Sequence, residues 1–308
     1  MEFGRLPAKG VIVRTFVAII RLSRLKFLVG GFLGLALGTL VARYEHHPFS
    51  LTAFALALCT VAAFQLMTHY SNDFFDQACD ERSTRTAFSG GSGVLQRKEL
   101  EPLFAARLAL AMASAGLLAT IVVAIRSSTL ATTLALLIGV LSWSYSAPPA
   151  RLLARGLGEL TTALVVAVLV PLFAYAMQAQ TIDGRAFVST LPAACAMFAM
   201  MLCVEIPDRV ADGASGKENL LVRYGLQRTR LLVEMSLLGI FVAAGCATLL
   251  GAPKTFGFFA LGVLPIAISL WRALSKPAVL DATIAAYGVF LFAATVGVGV
   301  LGYATAAV

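Results

Sequence analysis

The sequence predicts an all-α polytopic membrane protein, and three observations carry that reading. Of its 308 residues 59% are hydrophobic and only 13% charged, far from the balance of a soluble domain. Apolar runs of about 18 residues or more recur along the chain, each long enough to cross the roughly 30 Å hydrocarbon core of a bilayer. Those runs do not alternate polar and apolar residues, as the strands of a membrane β-barrel must. We expect nine transmembrane helices, arranged as two pseudo-repeated four-helix halves plus one, in a single domain spanning residues 1–308.

Residues 1–25 are basic, with Arg5, Lys9, Arg14, Arg21 and Arg24. Part of this segment reads either as an amphipathic helix at the interface or as the beginning of a long first span. The clear part of span one covers about 27–43, and the short loop Arg43–Pro48 carries His46 and His47. Two adjacent histidines without a third ligand read as a solvated pair rather than a metal site. Span two, about 49–71, ends at Asn72, and a polar loop over 72–102 follows. Spans three and four fall at about 103–125 and 129–147. The turn-rich segment Tyr145–Arg151 leads to span five (157–178), and span six (187–206) runs into a polar segment over 207–230. Spans seven to nine are expected near 231–250, 255–273 and 281–303.

Charge orients this arrangement. With nine spans, Arg43, Arg126, Arg185 and Lys254 fall on one side, and the other 20 of the 24 Lys and Arg fall on the opposite side. Positive charge marks the cytoplasmic face, so the N-terminus and the two large polar segments are expected in the cytoplasm. The net charge of +8 is therefore topological and does not indicate nucleic acid. Five scattered cysteines without a Cys-x-x-Cys pair speak against disulfides and zinc. No cleavable signal sequence is expected, and nothing calls for an obligate protein partner.

The functional signal is a contrast. Eight of the sixteen acidic residues lie within 72–81 and 205–218, surrounded by apolar sequence. Asn72, Asp76 and Asp80 recur every four residues, which stacks them on one helix face. Asp208 and Asp212 repeat that spacing 132 residues later. Both clusters follow even-numbered spans, so both reach the cytoplasmic mouth. A single carboxylate there could simply cap a helix. Two clusters packed together repel in a partly desolvated site and require cations. Mg²⁺ suits them, because it prefers hard oxygen ligands and commonly bridges carboxylates to phosphate oxygens. Arg82 and Arg85 follow the first cluster, and Arg209, Lys217 and Arg223 accompany the second.

Acid, Mg²⁺ and Arg/Lys together make a diphosphate site, and an apolar bundle beneath it implies a lipid tail. An isoprenyl diphosphate is the economical substrate. Ionisation would leave an allylic cation that aromatic faces can stabilise. Tyr70, Phe74, Phe75, Trp143 and Tyr145 lie near the predicted mouth; interfacial packing accounts for most of them, and Tyr145 is the one singled out.

At these residues the chain resembles the UbiA superfamily of intramembrane aromatic prenyltransferases. Asn72-x-x-x-Asp76-x-x-x-Asp80 resembles its first motif and Asp208-x-x-x-Asp212 its second, and the resemblance covers nearly the whole length. It implies transfer of a polyprenyl group from its diphosphate to an aromatic ring within the membrane, with Mg²⁺ held by Asp76, Asp80, Asp208 and Asp212. Asp208-x-x-x-Asp212-x-x-x-Gly216-Lys217-x-Asn219-Leu220 and Ser89-Gly90-Gly91-Ser92-Gly93 are similar to the 1,4-dihydroxy-2-naphthoate branch of menaquinone synthesis. That branch implies a bacterial cytoplasmic membrane. The alternatives are 4-hydroxybenzoate for ubiquinone, or another quinone, chlorophyll or haem precursor. The 4-hydroxybenzoate branch usually carries Arg-x-x-x-Arg, and here Ser89 stands where the second Arg would be. Many members carry Tyr-x-x-x-Lys where this chain has Tyr145-x-x-x-Pro149, and Arg151 lies two residues on.

The roles expected are therefore catalysis by Asp76, Asp208 and Tyr145, and diphosphate binding by Asn72, Arg85, Lys217 and Arg151. Asp73 and Glu205 read as ligands or as bases, and Arg24 as a contact for an acidic acceptor or a topological anchor. A transporter is the non-enzyme alternative, since acids in membranes often mark ion pathways. It predicts acids near the midplane of interrupted helices, whereas these acids sit at helix ends beside basic residues.

Overall fold

The computed structural model describes residues 9–83, 85–276 and 280–307; Arg5 lies outside them. Helices account for all the regular structure among the described residues. Helix α1 (Lys9–Ser23) ends at Arg24, whose backbone is left-handed at φ 45° and ψ 50°. A short 3-10 turn leads into α2 (Leu28–Tyr44). The Ser50 hydroxyl accepts from the Ala53 amide and starts α3 (Leu51–Phe75), satisfying one of the amides that a helix start leaves unpaired. The one-turn α4 (Gln77–Asp80) follows. Pro102 opens α5 (Pro102–Arg126), at the position where a missing amide costs nothing. Ser128 caps α6 (Thr129–Ser144).

Helix α7 (Gly158–Ala179) contains a π turn at Val165–Leu169. Helix α8 (Gly184–Glu205) is capped by Asp183, and the short α9 (Arg209–Ala214) comes next. Asn219 caps α10 (Leu220–Leu249), which is kinked at Gly225. Helices α11 (Lys254–Leu274) and α12 (Asp281–Ala304) complete the chain.

Among the described residues eight helical stretches are long and apolar enough to cross a membrane, and α6, with 16 residues, is shorter. The sequence placed the end of span four at 147. The helix stops at Ser144 because Pro148 and Pro149 close the following turn, and a residue before proline is pushed out of helical conformation. The segments expected to be loops are more helical than the sequence suggested. Helix α3 runs four residues past Ser71, and α10, capped by Asn219, starts eleven residues before the predicted span.

Packing closes the bundle into a ring. Helix α3 packs on α5 and α6, α6 on α7, α7 on α8, and α8 on α10 and α12; α11 and α12 pair, and α12 returns to α2. Helix α2 also lies against α7. There Gly38 comes so close to the Pro171 carbonyl that a Cβ could not be accommodated. Leu35, Phe173, Tyr175, Leu202 and Ile240 are almost completely buried between the helices. The outer face of α5, with Leu110, Leu117, Ile121 and Ile125 exposed, is suited to hydrocarbon rather than water. The ring encloses a cavity of about 620 Å³ whose mouth carries both acidic clusters.

Candidate active site

The first cluster is built by the end of α3. The regular i, i+4 stack expected from the sequence holds from Asn72 to Asp76 and then breaks. Asp76 is the C-cap of α3 (φ −98°, ψ 5°), and Asp80 lies on the separate turn α4. The break turns α4 across the cavity mouth, so α4 packs against α9 from the second half of the chain. Asn72 Nδ2 donates to Asp76 Oδ2 at 2.8 Å and to Ser146 Oγ at 3.1 Å, tying α3 to the turn after α6. Asp73 is wholly buried and spent on structure. It pairs with Arg24 and accepts from the Ser92 amide and hydroxyl.

The second cluster straddles α9, with Asp208 at its N-cap and Asp212 in its first turn. Asp212 Oδ2 accepts from Asn219 Nδ2 at 2.8 Å, and its Oδ1 accepts from Cys79 Sγ at 3.1 Å. Asp208 Oδ2 accepts from the Gly90 amide at 3.0 Å. The segment Ser89–Gly93 thus contacts both clusters. Gly90, Gly91 and Gly93 have φ between 66° and 76°, a conformation that suits glycine, and Gly91 presses its Cα side against the Asp80 carboxylate.

Lys217 joins the two motifs. Its Nζ lies 3.1 Å from Asp76 Oδ2 and 3.3 Å from Asp212 Oδ1, and all three side chains are about nine-tenths buried. Burial alone would lower its pKa, but the two carboxylates outweigh that and raise it. Burial pushes the Asp80 carboxyl up to about 7 against the pull of Arg24, with Asp76 adding to the rise. Burial, followed by Asp212, pushes Asp208 up to about 6.

Among the described residues no three His, Cys, Asp or Glu side chains converge as ready metal ligands; the Lys217 ammonium supplies the positive charge at the junction. The donor set nevertheless fits a hard cation. Asp80 Oδ2, Asp208 Oδ1 and both carboxylate oxygens of Glu205 are buried without a hydrogen-bond partner among the described residues, and all three residues line the cavity. Unpaired carboxylate oxygens in a closed site seek a cation or a proton.

Of the residues singled out from sequence, Asn72, Asp76, Asp80, Arg85, Tyr145, Asp208, Asp212 and Lys217 all line this cavity, together with Arg24 and Glu205. Arg151 is absent from the lining; it is exposed, with a left-handed backbone (φ 45°). Arg82 is committed to the Ala214 carbonyl, Arg209 to Asp281 and Arg223 to Glu218. Phe74, Phe75 and Trp143 pack on one another, and the Tyr70 hydroxyl bonds Ser23 Oγ at 2.7 Å. Tyr145 alone of those five aromatics faces the cavity.

Sequence reasoning missed Glu159, which is fully buried beneath the mouth and accepts from the Leu220 amide at 2.7 Å. Its only signal was a lone acid at the head of an apolar span. His46 and His47 sit at the opposite mouth beside Glu45, Asp183 and Arg185.

An acidic mouth over an apolar intramembrane cavity defines a class, that of helical-bundle membrane enzymes acting on a lipid with an anionic head. The chain belongs to the UbiA prenyltransferase family, whose sequence model matches residues 32–296. Among solved structures it is similar to a UbiA homolog from Archaeoglobus fulgidus bound to GPP and Mg²⁺, with TM-score 0.68 and 14% identity over 93% of this chain and 99% of that one. It is similar as well to digeranylgeranylglyceryl phosphate synthase (TM-score 0.65, 14% identity, 94% and 99% covered). The apo UbiA homolog from Aeropyrum pernix K1 gives TM-score 0.66 at 14% identity, with 88% and 96% covered. No curated protein sequence matches the chain.

Proposed function

We propose that this prenyltransferase carries out Mg²⁺-dependent transfer of a polyprenyl group from polyprenyl diphosphate to an aromatic acceptor, 1,4-dihydroxy-2-naphthoate of menaquinone synthesis. The observation that carries the reaction is the meeting of Asp76 and Asp80 with Asp208 and Asp212 at the mouth of one apolar cavity, with Asp80 and Asp208 oxygens left unpaired. The acceptor rests on the Gly216-Lys217-x-Asn219-Leu220 and Ser89–Gly93 patterns.

Mg²⁺ on the four aspartates would neutralise charge on the departing diphosphate. Lys217 and Arg85 bind diphosphate oxygens, and Asn72, fixed by Ser146, orients them. Tyr145 shields the allylic cation from water and presents its ring face to it. Arg151, exposed outside the cavity, is left out of this set. Nine spans in two four-helix halves, with the acidic mouth in the cytoplasm of a bacterial inner membrane, accommodate these roles and the distribution of basic residues.

The test uses purified protein in detergent with GPP or longer polyprenyl diphosphates, each candidate acceptor, and Mg²⁺ or EDTA, with products read by mass spectrometry. A Mg²⁺-dependent prenylated naphthol or naphthoquinone is expected. A prenylated 4-hydroxybenzoate would keep the mechanism and replace the acceptor. Absence of both product and diphosphate release would return transport as the reading.

A further inference from the structure

The apolar half of the cavity contains one imidazole, and neither the diphosphate nor the metal reading uses it. His69 lies on α3 three residues before Asn72 and seven before Asp76, two helical turns or about 10 Å deeper than the acidic mouth, and it lines the same cavity. Its Nδ1 is 2.8 Å from the backbone carbonyl of Ser23. A carbonyl oxygen can only accept, so Nδ1 carries the proton, and in the neutral ring Nε2 presents a lone pair. Nε2 makes no hydrogen bond among the described residues. The neighbouring polar side chains are already engaged. Thr68 Oγ1 donates to the Phe64 carbonyl at 2.9 Å, and Arg24 pairs with Asp73.

The ring is held, not loose. Ser23 receives His69 on its carbonyl and Tyr70 on its hydroxyl, and Asp73 pairs with Arg24 next door. Three residues within five positions of α3 therefore fix the left-handed break between α1 and α2, and that break in turn fixes the imidazole. Phe27 packs edge-on against the ring at 6.2 Å between centroids.

We propose that His69 is the general base of the acceptor site, taking the hydroxyl proton of a phenolic or naphtholic acceptor on Nε2. This rests on the aromatic-acceptor reading above. The diphosphate is bound at the mouth and the prenyl chain runs inward, so the breaking C–O bond lies at the boundary between the acidic cluster and the apolar cavity. His69 stands just beyond that boundary. As the C1–O bond breaks, its electron pair leaves on the diphosphate. A ring carbon of the acceptor supplies the pair for the new C–C bond while the hydroxyl proton passes to Nε2. The ring proton then leaves to the released diphosphate, and Nε2 returns its proton to the oxygen.

The test compares wild type with His69→Asn and His69→Gln, using GPP, Mg²⁺ and whichever of 1,4-dihydroxy-2-naphthoate or 4-hydroxybenzoate the wild type prenylates. The Asn amide retains a donor for the Ser23 carbonyl and removes Nε2; Gln places an amide near Nε2 and gives a second folded variant to read. Unchanged GPP affinity and thermal midpoint are expected, with kcat lowered on the order of 10²–10⁴-fold, the usual contribution of a general base. The loss should shrink for ring-fluorinated acceptors, whose hydroxyl is already ionised. Either variant turning over within about threefold of wild type would overturn the assignment, as would a loss confined to KM or one indifferent to acceptor acidity. A wild type that leaves every hydroxylated aromatic unprenylated overturns the acceptor reading and the role of His69 with it. Turnover by wild type and an equally fast His69→Asn overturns only the role of His69.

Discussion

The backbone amide of Gly90 donates to the carboxylate of Asp208 at 3.0 Å, across 118 positions of sequence. Through this bond the glycine-rich segment of the first polar region becomes a wall of the second acidic cluster, while neighbouring Gly91 abuts Asp80 of the first. Substituting Gly91 by Ala therefore tests the wall directly. The left-handed backbone adds about 1–2 kcal/mol of strain, and the new Cβ displaces the Asp80 carboxylate. We expect Gly91→Ala to weaken Mg²⁺ binding, measured calorimetrically, by about tenfold or more. Gly184→Ala, which meets open space, should leave it unchanged.

Neutralising one carboxylate in either cluster should stop turnover without unfolding the bundle. For Asp76→Asn and Asp208→Asn the expected loss in kcat is on the order of 10²–10³-fold or more, with a far-UV spectrum and elution volume like wild type. Activity surviving in either variant would mean that one cluster suffices.

The raised pKa values of Asp80, about 7, and Asp208, about 6, give a pH prediction. A carboxyl raised in the folded state favours folding while protonated, so this contribution is intact below about pH 4 and is lost progressively as pH rises to the folded values of about 6 and 7. The metal-free protein should thus lose thermal stability from about pH 4.5 to 7, on the order of a few degrees. Mg²⁺ competes with those protons, so its affinity should rise over the same interval, and binding at pH 6.5 should release protons. Titration in buffers of different ionisation enthalpy reads that release.

Lys217 bridges buried carboxylates of both clusters. Its replacement by Met leaves Asp76 and Asp212 facing one another uncompensated, a loss of about 3–5 kcal/mol for a broken buried pair. We expect Lys217→Met to lower the unfolding midpoint strongly in EDTA and to recover much of it in Mg²⁺. Equal losses in both conditions would show that the ammonium does not share its place with a cation.

Much of this was legible in the sequence, for reasons that can be located. Apolar length alone marks helices that meet lipid, so the spans emerged except where a local device intervened: the Pro148-Pro149 turn that shortens α6, or the Asn219 cap that starts α10 early. The i, i+4 spacing picked out Asp76, Asp80, Asp208 and Asp212, and the parity of the spans pointed both pairs to one mouth. It did not show that α3 breaks at Asp76 and lets α4 pack against α9, because nothing in that stretch is a helix breaker. Asp73 read as a ligand or a base and is an anchor; only its burial against Arg24 and Ser92 shows this. Arg151 looked like a phosphate contact by sequence proximity to Tyr145, yet it is exposed and does not line the cavity. His69 and Glu159 were not singled out from the sequence, since their meaning depends on partners 46 and 61 residues away.

The ammonium of Lys217 has a consequence for how the molecule comes into being. A polypeptide that needed magnesium to reconcile its acidic mouths could not mature until it met the ion. Here a tethered positive group that the ribosome itself supplies joins the two motifs as soon as both are in place. Assembly and activation are thereby separated in time, and scarcity of the metal would leave an idle, intact reserve of protein rather than debris for proteases.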